Sequence, residues 1–446
     1  MKEKFFCDVI KVEPIFQNRL VNCLPKKIVL KNFFLQKKLN FLHMIKKQFL
    51  TDIALELGNL RQNGLYKSEY EIISSQSSEI EIIQNNSKKK VLNFCANNYL
   101  GLANNQNLVD VAKKSLDDYG LGTASVRFIC GTFDLHKKFE TTLTEFLGFE
   151  DVITFSSCFA ANGGVFAALF DEQDAIISAD LNHASLIDGI RLSKAARYFY
   201  KFDDMQDLEK KLQEAQKNKT RVIVTDGVFS MDGDIADLKS ICDLAEKYDA
   251  LVLVDDSHAT GFIGENGRGT FEFRGVEGRV DILTSTLGKA LGGAGGGFIA
   301  SKKEIVEKLR NKARSYLFSN NIAPMVAATG IEILDMILKS KILIKKLADN
   351  TKFFREKMVA AGFDVRDKNG VHPIIPVMLH DAILASKFAK MMIEEEGIYV
   401  IAFSFPVVPK NEARIRVQIS AAHEHEHLER AVAAFVRVGK KLGVIK

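Results

Sequence analysis

The amino-acid sequence predicts an α/β fold, with a large domain built on a mostly parallel sheet and a smaller C-terminal α+β domain. Two observations predict it. Short apolar runs alternate with helical stretches through the middle of the chain, and strands that alternate with helices form parallel sheets covered on both faces. After about residue 336 this alternation ends. The length of 446 residues allows more than one domain.

We expect four segments along the chain. The first is an N-terminal extension that we expect to be disordered or not native, because a second methionine, Met44, opens a more regular helical pattern. The second holds a helix and strands, the third is the large domain, and the fourth is the small domain. Their bounds are residues 1–43, 44–92, 93–335 and 336–446.

The charge distribution argues against a nucleic-acid partner. Residues 1–43 contain nine Lys or Arg and three Asp or Glu, and the remaining chain has a net charge of −1. No basic face is therefore expected on the folded body. A mitochondrial transit segment is the less favoured interpretation of residues 1–43, because such segments are rich in Arg and Ser and this one has one Arg and no Ser.

Composition also indicates the compartment. The six cysteines show no disulfide or metal-site spacing, which favours a reducing environment. No apolar stretch approaches the roughly 20 residues of a membrane span. We therefore expect a cytoplasmic protein with no membrane partner, or a mitochondrial matrix protein if residues 1–43 were a transit segment.

The individual elements follow from periodicity. Ile45, Phe49 and Ile53 recur near a 3.6-residue period and predict a helix over residues 44–63. A second clear helix is Leu238–Tyr248. Further helices are expected over about 321–360, near 385–396 and at the C-terminus, with strands at 373–379 and 414–420. The predicted strands of the large domain are Asp151–Phe155, Ala175–Ser178, Arg221–Thr225, Leu251–Val254 and Asp281–Leu283.

Lys289 is the first candidate catalytic residue. It lies in Thr286-Leu287-Gly288-Lys289-Ala290, before a glycine-rich run. A phosphate-binding P-loop is a poor interpretation, because its glycines would precede the Gly-Lys pair and a Ser or Thr would follow. A lysine that forms a Schiff base serves pyridoxal phosphate (PLP) chemistry, and its small neighbours leave room for a substrate amine. The alternative is an exposed lysine before a flexible loop.

Asp255 and His258 follow a predicted strand and supply a second part of such a site. A carboxylate against a protonated ring nitrogen keeps the PLP ring cationic, and a cationic ring accepts electrons from a carbanion. His258 could reach the phenolic oxygen of the ring. The alternative is that Asp255 caps the next helix, which is common where strands end in α/β proteins.

Other candidates lie in loops after strands, where ligands of open parallel sheets gather. Ser156–Gly164 joins a strand to an apolar helix, and free N–H groups at a helix N-terminus suit a phosphate. His183 could stack on a planar ring or be an ordinary loop histidine. Arg414 and Arg416 share one face of a predicted strand, where one could bind a substrate carboxylate or form an edge-strand salt bridge.

A metal site is not expected. His423, His425 and His427 alternate with glutamates, but residues two apart on a helix do not face each other.

Taken together, these segments resemble the α-oxoamine synthases, PLP enzymes of the aspartate-aminotransferase fold (PLP-dependent transferase fold type I). The resemblance runs from about Met44 to the C-terminus and does not cover residues 1–43. The motifs that carry it are Phe94–Leu102, Ala124–Thr132, Asp226–Gly233, Val254–Ala259 and Thr286–Lys289. Within the family, Arg127–Thr132, Ser156–Phe159 and 439–445 resemble members that condense glycine with acetyl-CoA.

The resemblance implies roles for individual positions around the PLP ring. Lys289 would bind PLP covalently and act catalytically. His183 would stack over the ring and would also be a catalytic and substrate-binding residue. Asp255 would pair with the ring nitrogen. His258 and Ser230 would contact the phenolic oxygen side.

The resemblance also implies a phosphate site shared between two subunits. Cys158 and Phe159 would donate backbone N–H groups, helped by Thr286, and Ser319 and Asn320 of the neighbouring subunit would complete it. A homodimer would then be the active unit.

For the substrates, the resemblance implies that Arg416 binds the amino acid carboxylate, with Asn97 nearby. The expected reaction converts glycine and acetyl-CoA to 2-amino-3-ketobutyrate and CoA, in threonine catabolism, and a threonine dehydrogenase would be a functional partner by analogy. The alternatives are an α-oxoamine synthase with another acyl-CoA or amino acid, and a non-catalytic subunit of the same fold. The chain departs from the family at Gly295–Gly297, where a serine was expected and where we expect the glycines to loosen the loop.

Overall fold

The computed structural model describes residues 47–366 and 370–446, which divide into two compact units. The described part of the first unit, residues 47–68, contains helix α1 (Lys47–Gln62). This agrees with the helix predicted over residues 44–63, of which 44–46 lie outside the described residues. The extension predicted for residues 1–43 also lies outside them, so its expected disorder and its possible transit function stay predictions.

The second unit, Glu69–Lys446, contains all the remaining elements. Its strands are β1 (Glu71–Ile72), β2 (Glu79–Gln84), β3 (Ser87–Asn93), β4 (Asp151–Phe155), β5 (Ala175–Ala179), β6 (Ala196–Tyr200), β7 (Arg221–Asp226), β8 (Val228–Phe229), β9 (Asp234–Ile235), β10 (Leu251–Asp255), β11 (Ile282–Thr286), β12 (Gly297–Ser301), β13 (Ile374–His380), β14 (Ile398–Tyr399), β15 (Ile401–Phe403) and β16 (Ala413–Gln418). Its helices are α2 (Gln106–Tyr119), α3 (Asp134–Leu147), α4 (Cys158–Leu169), α5 (Ala184–Leu192), α6 (Met205–Glu214), α7 (Leu238–Lys247), α8 (Thr270–Phe273), α9 (Lys303–Lys312), α10 (Arg314–Leu317), α11 (Pro324–Lys339), α12 (Ile342–Ala360), α13 (Ala382–Glu394) and α14 (His425–Lys441).

The largest sheet has the strand order β4-β12-β11-β10-β7-β5-β6. Only β12 runs against its neighbours, and the other six strands are parallel to one another. The five predicted strands of the large domain are all present, and β6 and β12 are additional to the prediction. Because the six parallel strands end at the same edge, the loops that follow them meet there.

Alternating side chains of this sheet enter two different cores. Val222 and Val224 of β7 pack on one face with α4, α5 and α9, whereas Ile223 packs on the other face. All six residues of β7 are buried. A strand covered on both sides reads in the sequence as a continuous apolar run, which is why its position was predictable.

The C-terminal part forms a three-stranded antiparallel sheet, β13-β16-β15, packed with α13. The strands and helices predicted here are present. The helix predicted over 321–360 is instead two helices, α11 and α12, because Ser340 adopts an extended backbone (φ −149°, ψ 131°) between them. The division of the chain at residues 92 and 335 into separate domains stays a prediction.

The motif around Arg127 forms a buried ion pair that holds α3 against β4. The Arg127 guanidinium donates to both carboxylate oxygens of Glu140, at 2.9 and 3.2 Å, and to the Thr154 hydroxyl at 2.9 Å. Burial alone would raise the pKa of Glu140, but the charges of Arg127 and Arg310 lower it below its ordinary value. Removing one partner of such a pair leaves an uncompensated buried charge.

Across residues 47–366 and 370–446, no helix is both long enough and apolar enough to span a membrane.

Candidate active site

The loops at the carboxyl edge of the large sheet enclose a cavity of about 200 Å³. Eight of the twelve predicted site residues line it, together with four residues that the sequence did not single out as site residues. The lining residues are Ser157, Cys158, Phe159, His183, Ser185, Asp226, Ser230, Asp255, Ser257, His258, Thr286 and Lys289.

Lys289 lies three residues beyond the end of β11, and its side chain is partly buried. Burial lowers the pKa of its ammonium group, because it disfavours the charged form, and the negative charge of Asp255 opposes this shift. The amine is therefore easier to deprotonate than an exposed lysine. A partly neutral amine is what a nucleophile or a general base requires.

Asp255 is the last residue of β10 and is 4% exposed. One carboxylate oxygen accepts hydrogen bonds from the Asn162 amide at 2.6 Å and the Cys158 thiol at 3.6 Å. The other accepts from the backbone N–H of Ser257 at 3.0 Å. These donors fix the carboxylate at the cavity wall.

Asn162 and Asp226 belong to this site, and sequence reasoning did not assign them a role. Asn162 is fully buried in α4, and only the sheet topology brings it to Asp255. Asp226 ends β7, and its carboxylate accepts the backbone N–H of His183 at 2.8 Å. Burial, and then the charge of Asp255, raises the pKa of Asp226 well above its ordinary value.

His183 is the N-cap residue of α5 and lines the cavity. Its Nδ1 lies 2.7 Å from the hydroxyl of Ser185. Burial lowers the pKa of its imidazole, with Asp255 raising it and Lys289 lowering it further. The ring is therefore neutral near pH 7 and free to stack on a planar group.

His258 is held by two aromatic neighbours. Its Nδ1 lies 2.8 Å from the hydroxyl of Tyr99, and its backbone carbonyl lies 2.7 Å from Nε2 of His372. Burial lowers the pKa of His258 well below its ordinary value, and the charge of Lys289 adds to this. The sequence analysis includes Tyr99 only within the motif Phe94–Leu102, and its contact with His258 was not predicted.

The predicted phosphate loop begins α4. The Ser157 hydroxyl accepts the backbone N–H of Ala160 at 3.0 Å and so caps the helix. Cys158 and Phe159 stand in the first turn, where N–H groups have no partner within the helix. The Thr286 hydroxyl, on the adjacent strand end, also lines the cavity. This arrangement suits an anionic group.

Close packing requires two of the three glycines at 295–297, and the loosening of the loop expected from them stays a prediction. Gly297 is the first residue of β12, and a Cβ on it would lie 2.2 Å from the backbone nitrogen of Cys158. Gly296 has a φ of 154°, and a Cβ there would lie 2.6 Å from Leu287. These two glycines let the strand and the helix N-terminus approach closely. Only Gly295 has open space around its Cβ position.

The two arginines of β16 differ in their surroundings. Arg414 is fully buried and forms ion pairs with Asp232 and Glu412, so the salt-bridge alternative applies to it. Arg416 donates to the backbone carbonyl of Ser230 at 2.9 Å, and its Nε is buried without a hydrogen-bond partner among the described residues. Ser230 lines the cavity, so Arg416 lies beside it rather than in its wall.

Three further predicted residues lie outside the cavity lining. The Asn97 amide oxygen accepts a hydrogen bond from Gln418, on the same strand as Arg416. Ser319 and Asn320 follow α10 and are exposed in the single chain. The single chain does not bring these last two to the cavity.

The C-terminal histidines have hydrogen-bonding roles. His423 is buried, and its ring nitrogens contact the Asn93 carbonyl at 2.9 Å and the Ser420 N–H at 3.0 Å. In the part of the chain that the structure describes, no group of three or more His, Cys, Asp or Glu is placed to hold a metal ion.

Comparison with known protein families identifies the family of this chain. The model of "Aminotransferase class I and II" matches residues 89–435. The chain belongs to this family. The match covers most of the second unit, including both β10 and β11.

Within the family, the chain is similar to proteins of the α-oxoamine synthase type. It is 55% identical over 403 residues to the 2-amino-3-ketobutyrate coenzyme A ligase of Escherichia coli, covering 90% of this chain and 100% of that protein. It is 47% identical over 392 residues to the 8-amino-7-oxononanoate synthase of Thermosipho melanesiensis, covering 88% and 98%.

Solved structures agree with this fold. A serine palmitoyltransferase variant from S. paucimobilis, solved with a bound PLP–myriocin aldimine, superposes with a TM-score of 0.83 at 29% identity. The match covers 88% of this chain and 98% of that one. The fold is therefore PLP-dependent transferase fold type I, as predicted.

The family and the PLP-bound neighbours indicate pyridoxal phosphate as the cofactor. The residues of this chain fit it. A buried carboxylate, a partly buried lysine of lowered pKa and a helix N-terminus line one cavity, and they suit a ring nitrogen, an aldehyde and a phosphate.

Proposed function

We propose that this protein condenses glycine with acetyl-CoA to give 2-amino-3-ketobutyrate and CoA, as a PLP-dependent glycine C-acetyltransferase. The observation that carries the proposal is the 55% identity across the whole length of the E. coli 2-amino-3-ketobutyrate coenzyme A ligase. The cavity supports it, because its lysine, aspartate and histidines suit PLP chemistry.

When bound, PLP supplies a cationic ring that stabilises negative charge on the α-carbon of an amino acid. In the proposal, the Asp255 carboxylate would keep the ring nitrogen protonated, and His258 and Ser230 would hold the phenolic oxygen. His183 would stack on the ring. The N–H groups of Cys158 and Phe159, with the Thr286 hydroxyl, would hold the phosphate; all of these line the cavity.

Lys289 has two roles in the proposal. Its ε-amino group would hold the cofactor, and as a free amine it would take a proton from the α-carbon of glycine. The lowered pKa of Lys289 favours both, because the neutral amine is the reactive form. A new bond forms between this α-carbon and the acetyl carbon, the C–S bond of the thioester breaks, and CoA leaves.

Arg416 would bind the glycine carboxylate, with Asn97 nearby. Its unpaired, buried Nε supports this role, because a buried guanidinium N–H without an acceptor is costly and a carboxylate would supply one. Arg414 is already paired with two carboxylates and is the poorer candidate.

The active unit is proposed to be a homodimer, in which Ser319 and Asn320 complete the phosphate site of the neighbouring subunit. Their exposure in the single chain is consistent with this. A cytoplasmic location and a functional link to a threonine dehydrogenase also belong to the proposal.

Product analysis tests the function. The purified enzyme with PLP is offered glycine, alanine or serine, each with acetyl-, pimeloyl- or palmitoyl-CoA, and products are identified by mass spectrometry. We expect rapid CoA release only with glycine and acetyl-CoA, and the mass of 2-amino-3-ketobutyrate or its decarboxylation product.

A related α-oxoamine synthase is the second candidate, favoured by the 47% identity to an 8-amino-7-oxononanoate synthase. One methylene more or less in a pocket changes preference only about 10- to 200-fold, so fold and site alone do not separate the two. Condensation only with the longer acyl chains would support this candidate and contradict the proposed one.

A further inference from the structure

A chain of four hydrogen-bonded side chains connects Asp255 to His183, two residues that line the cavity. The Asn162 amide nitrogen lies 2.6 Å from an Asp255 oxygen and 2.9 Å from the Ser185 hydroxyl. The Ser185 hydroxyl lies 2.7 Å from Nδ1 of His183. Asn162 and Ser185 are 0% and 1% exposed, so water does not compete for these contacts.

The carboxylate fixes the direction of the first bond. A carboxylate oxygen only accepts hydrogen bonds, so the Asn162 amide must present its nitrogen and not its oxygen. The amide oxygen is then left without a partner among the described residues, as observed. The opposite orientation would bring two acceptors to 2.6 Å.

The orientation of the Asn162 amide also determines the donor and acceptor roles in the hydrogen bond between Ser185 and His183. The second N–H of the Asn162 amide points to the Ser185 hydroxyl oxygen, which therefore accepts from Asn162. The hydroxyl has one hydrogen left, and Nδ1 of His183, 2.7 Å away, is the other hydrogen-bond partner of this oxygen among the described residues, so we assign the hydroxyl as the donor. The backbone N–H of Ser185 also points to Nδ1, at 3.3 Å. Nδ1 thus faces two donors and has no acceptor for a proton of its own.

We infer that Asn162 and Ser185 are positioning residues that hold His183 as the neutral tautomer with its proton on Nε2. This tautomer presents an N–H donor on the side of the ring away from Ser185, and no protein acceptor for Nε2 is found in residues 47–366 and 370–446. This role rests on the proposed function: His183 then stacks on the cofactor and donates a hydrogen bond from Nε2, but it does not transfer protons through Nδ1.

Other groups around His183 either raise or lower the pKa of its imidazole. Asp255 favours a charged imidazole, whereas Lys289 and burial disfavour it. Asp226 accepts the backbone N–H of His183 and does not bond its ring. His258, across the cavity, is itself held neutral by burial. The hydrogen-bond chain is therefore the element that selects between the two neutral tautomers.

Solid-state ¹⁵N NMR of the PLP-loaded enzyme with labelled histidine tests the inference. The signals of His183 are assigned by their loss in His183→Gln. We expect an unprotonated Nδ1 and a protonated Nε2 from pH 8 to pH 6. In Ser185→Ala only the longer backbone N–H contact to Nδ1 remains, so we expect the Nδ1 signal to move toward that of a protonated nitrogen at a higher pH than in the wild type. Ser185→Thr, which keeps the hydroxyl, should restore the wild-type signal.

Ser193→Ala is the matched control. Ser193 caps the other end of α5, is buried, and its hydroxyl donates to the Phe170 carbonyl at 3.0 Å, away from His183. This variant should leave the His183 signals unchanged. The pH at which kcat/KM for glycine declines should also rise in Ser185→Ala and not in Ser193→Ala.

A protonated Nδ1 in the wild type, or wild-type signals in Ser185→Ala, would overturn the inference. If Ser185→Ala does not fold, the protonation of Nδ1 in the wild-type spectrum alone tests the inference. The spectrum does not depend on turnover, so an enzyme with the expected tautomer but no acetyl transfer would contradict the proposed function and leave the inference standing.

Discussion

His372 and His423 are held neutral by burial, away from the cavity wall. The structure lowers the pKa of His372 to about 3 and that of His423 to about 4, in both cases mainly because burial disfavours the charged ring. Each ring accepts a backbone N–H on Nδ1, from Ile374 and Ser420 respectively, and its Nε2 donates to a carbonyl. The neutral form is therefore the one the fold requires.

Acid should destabilise the protein through these two residues. Their folded pKa values lie below the ordinary value of about 6.5, so between pH 6.5 and 4 the unfolded chain binds protons that the folded chain does not. Their contribution is complete above pH 6.5 and is lost as the pH falls. As the pH falls through this window, we expect each histidine to lower the free energy of unfolding by at most about 1.4 kcal/mol per pH unit.

Denaturant unfolding of wild type and His423→Asn at pH 8, 6 and 5 measures this effect. At pH 8 the difference between the two proteins reports only lost packing and hydrogen bonds. Toward pH 5 the wild type should lose stability faster than the variant, because the variant lacks one proton-binding group. Parallel pH dependences would contradict the assigned pKa of His423.

The sequence predicted the location of those candidate residues that directly follow a strand. Asp255 and His258 follow an apolar strand, and Lys289 stands among small residues after another, so their place at the sheet edge was readable. Asn162, Ser185 and Tyr99 were not assigned roles, because their partners are 93, 23 or 159 residues away or lie in another strand–helix unit. Only the folded sheet brings them together.

At the scale of elements, the position of the proposed phosphate loop depends on how closely β12 approaches the start of α4. The approach leaves no room for a side chain at Gly297, where the nearest atoms are backbone atoms of Ser157 and Cys158. Backbone cannot rotate away as a flexible side chain can. The sequence showed three glycines but not which of them the fold requires.

Gly297→Ala should therefore move the N-terminus of α4. We expect weaker PLP binding and a loss of about 1–3 kcal/mol of stability, the usual cost of overpacking. The dissociation constant for PLP is measured by titrating the apoenzyme, and stability by denaturant unfolding.

Gly295→Ala is the matched control two residues away. Its Cβ position is open, and its φ does not lie in the left-handed region. We expect PLP affinity and stability close to wild type. Equal effects of the two substitutions would show that the close approach at Gly297 does not hold the phosphate loop in place.

The order of elements was more predictable than their ends. Buried parallel strands are continuous apolar runs and were found at nearly their observed positions. The break between α11 and α12 was missed because residues 338–343 are Leu-Lys-Ser-Lys-Ile-Leu, with no proline or glycine to end a helix. Strand β6 was missed because its exposed and partly buried side chains weaken the apolar signal.

At the scale of the whole molecule, the single chain exposes large apolar side chains that a dimer interface would cover. Phe128, Ile129 and Phe318 are 62%, 68% and 69% exposed. Phe318 directly precedes Ser319 and Asn320, the residues proposed to serve the neighbouring subunit. Apolar side chains next to proposed shared-site residues are consistent with an interface at this position.

Mixing two inactive variants tests the shared site. Lys289→Ala lacks the reactive amine, and Ser319→Asp would place a carboxylate beside the neighbouring phosphate. A mixed dimer then has one site with both defects and one with neither. After denaturation and reassembly with PLP, about a quarter of the sites should be intact if pairing is random.

Each variant reassembled alone is the control and should stay inactive. No recovery in the mixture, with both chains present in dimers of normal size, would show that Ser319 serves its own subunit. Recovery with Ser319→Asp alone would show that Ser319 does not contact the phosphate.

The central claim is that PLP is bound covalently at Lys289, and borohydride reduction followed by peptide mapping tests it most directly. Reduction fixes the cofactor to the lysine that holds it, and mass spectrometry of the digest locates the modified residue. We expect the modification on the peptide containing Lys289, and its loss in Lys289→Ala, which should remain folded but without condensation activity. Modification of another lysine in the wild type, or full turnover in Lys289→Ala, would contradict the account.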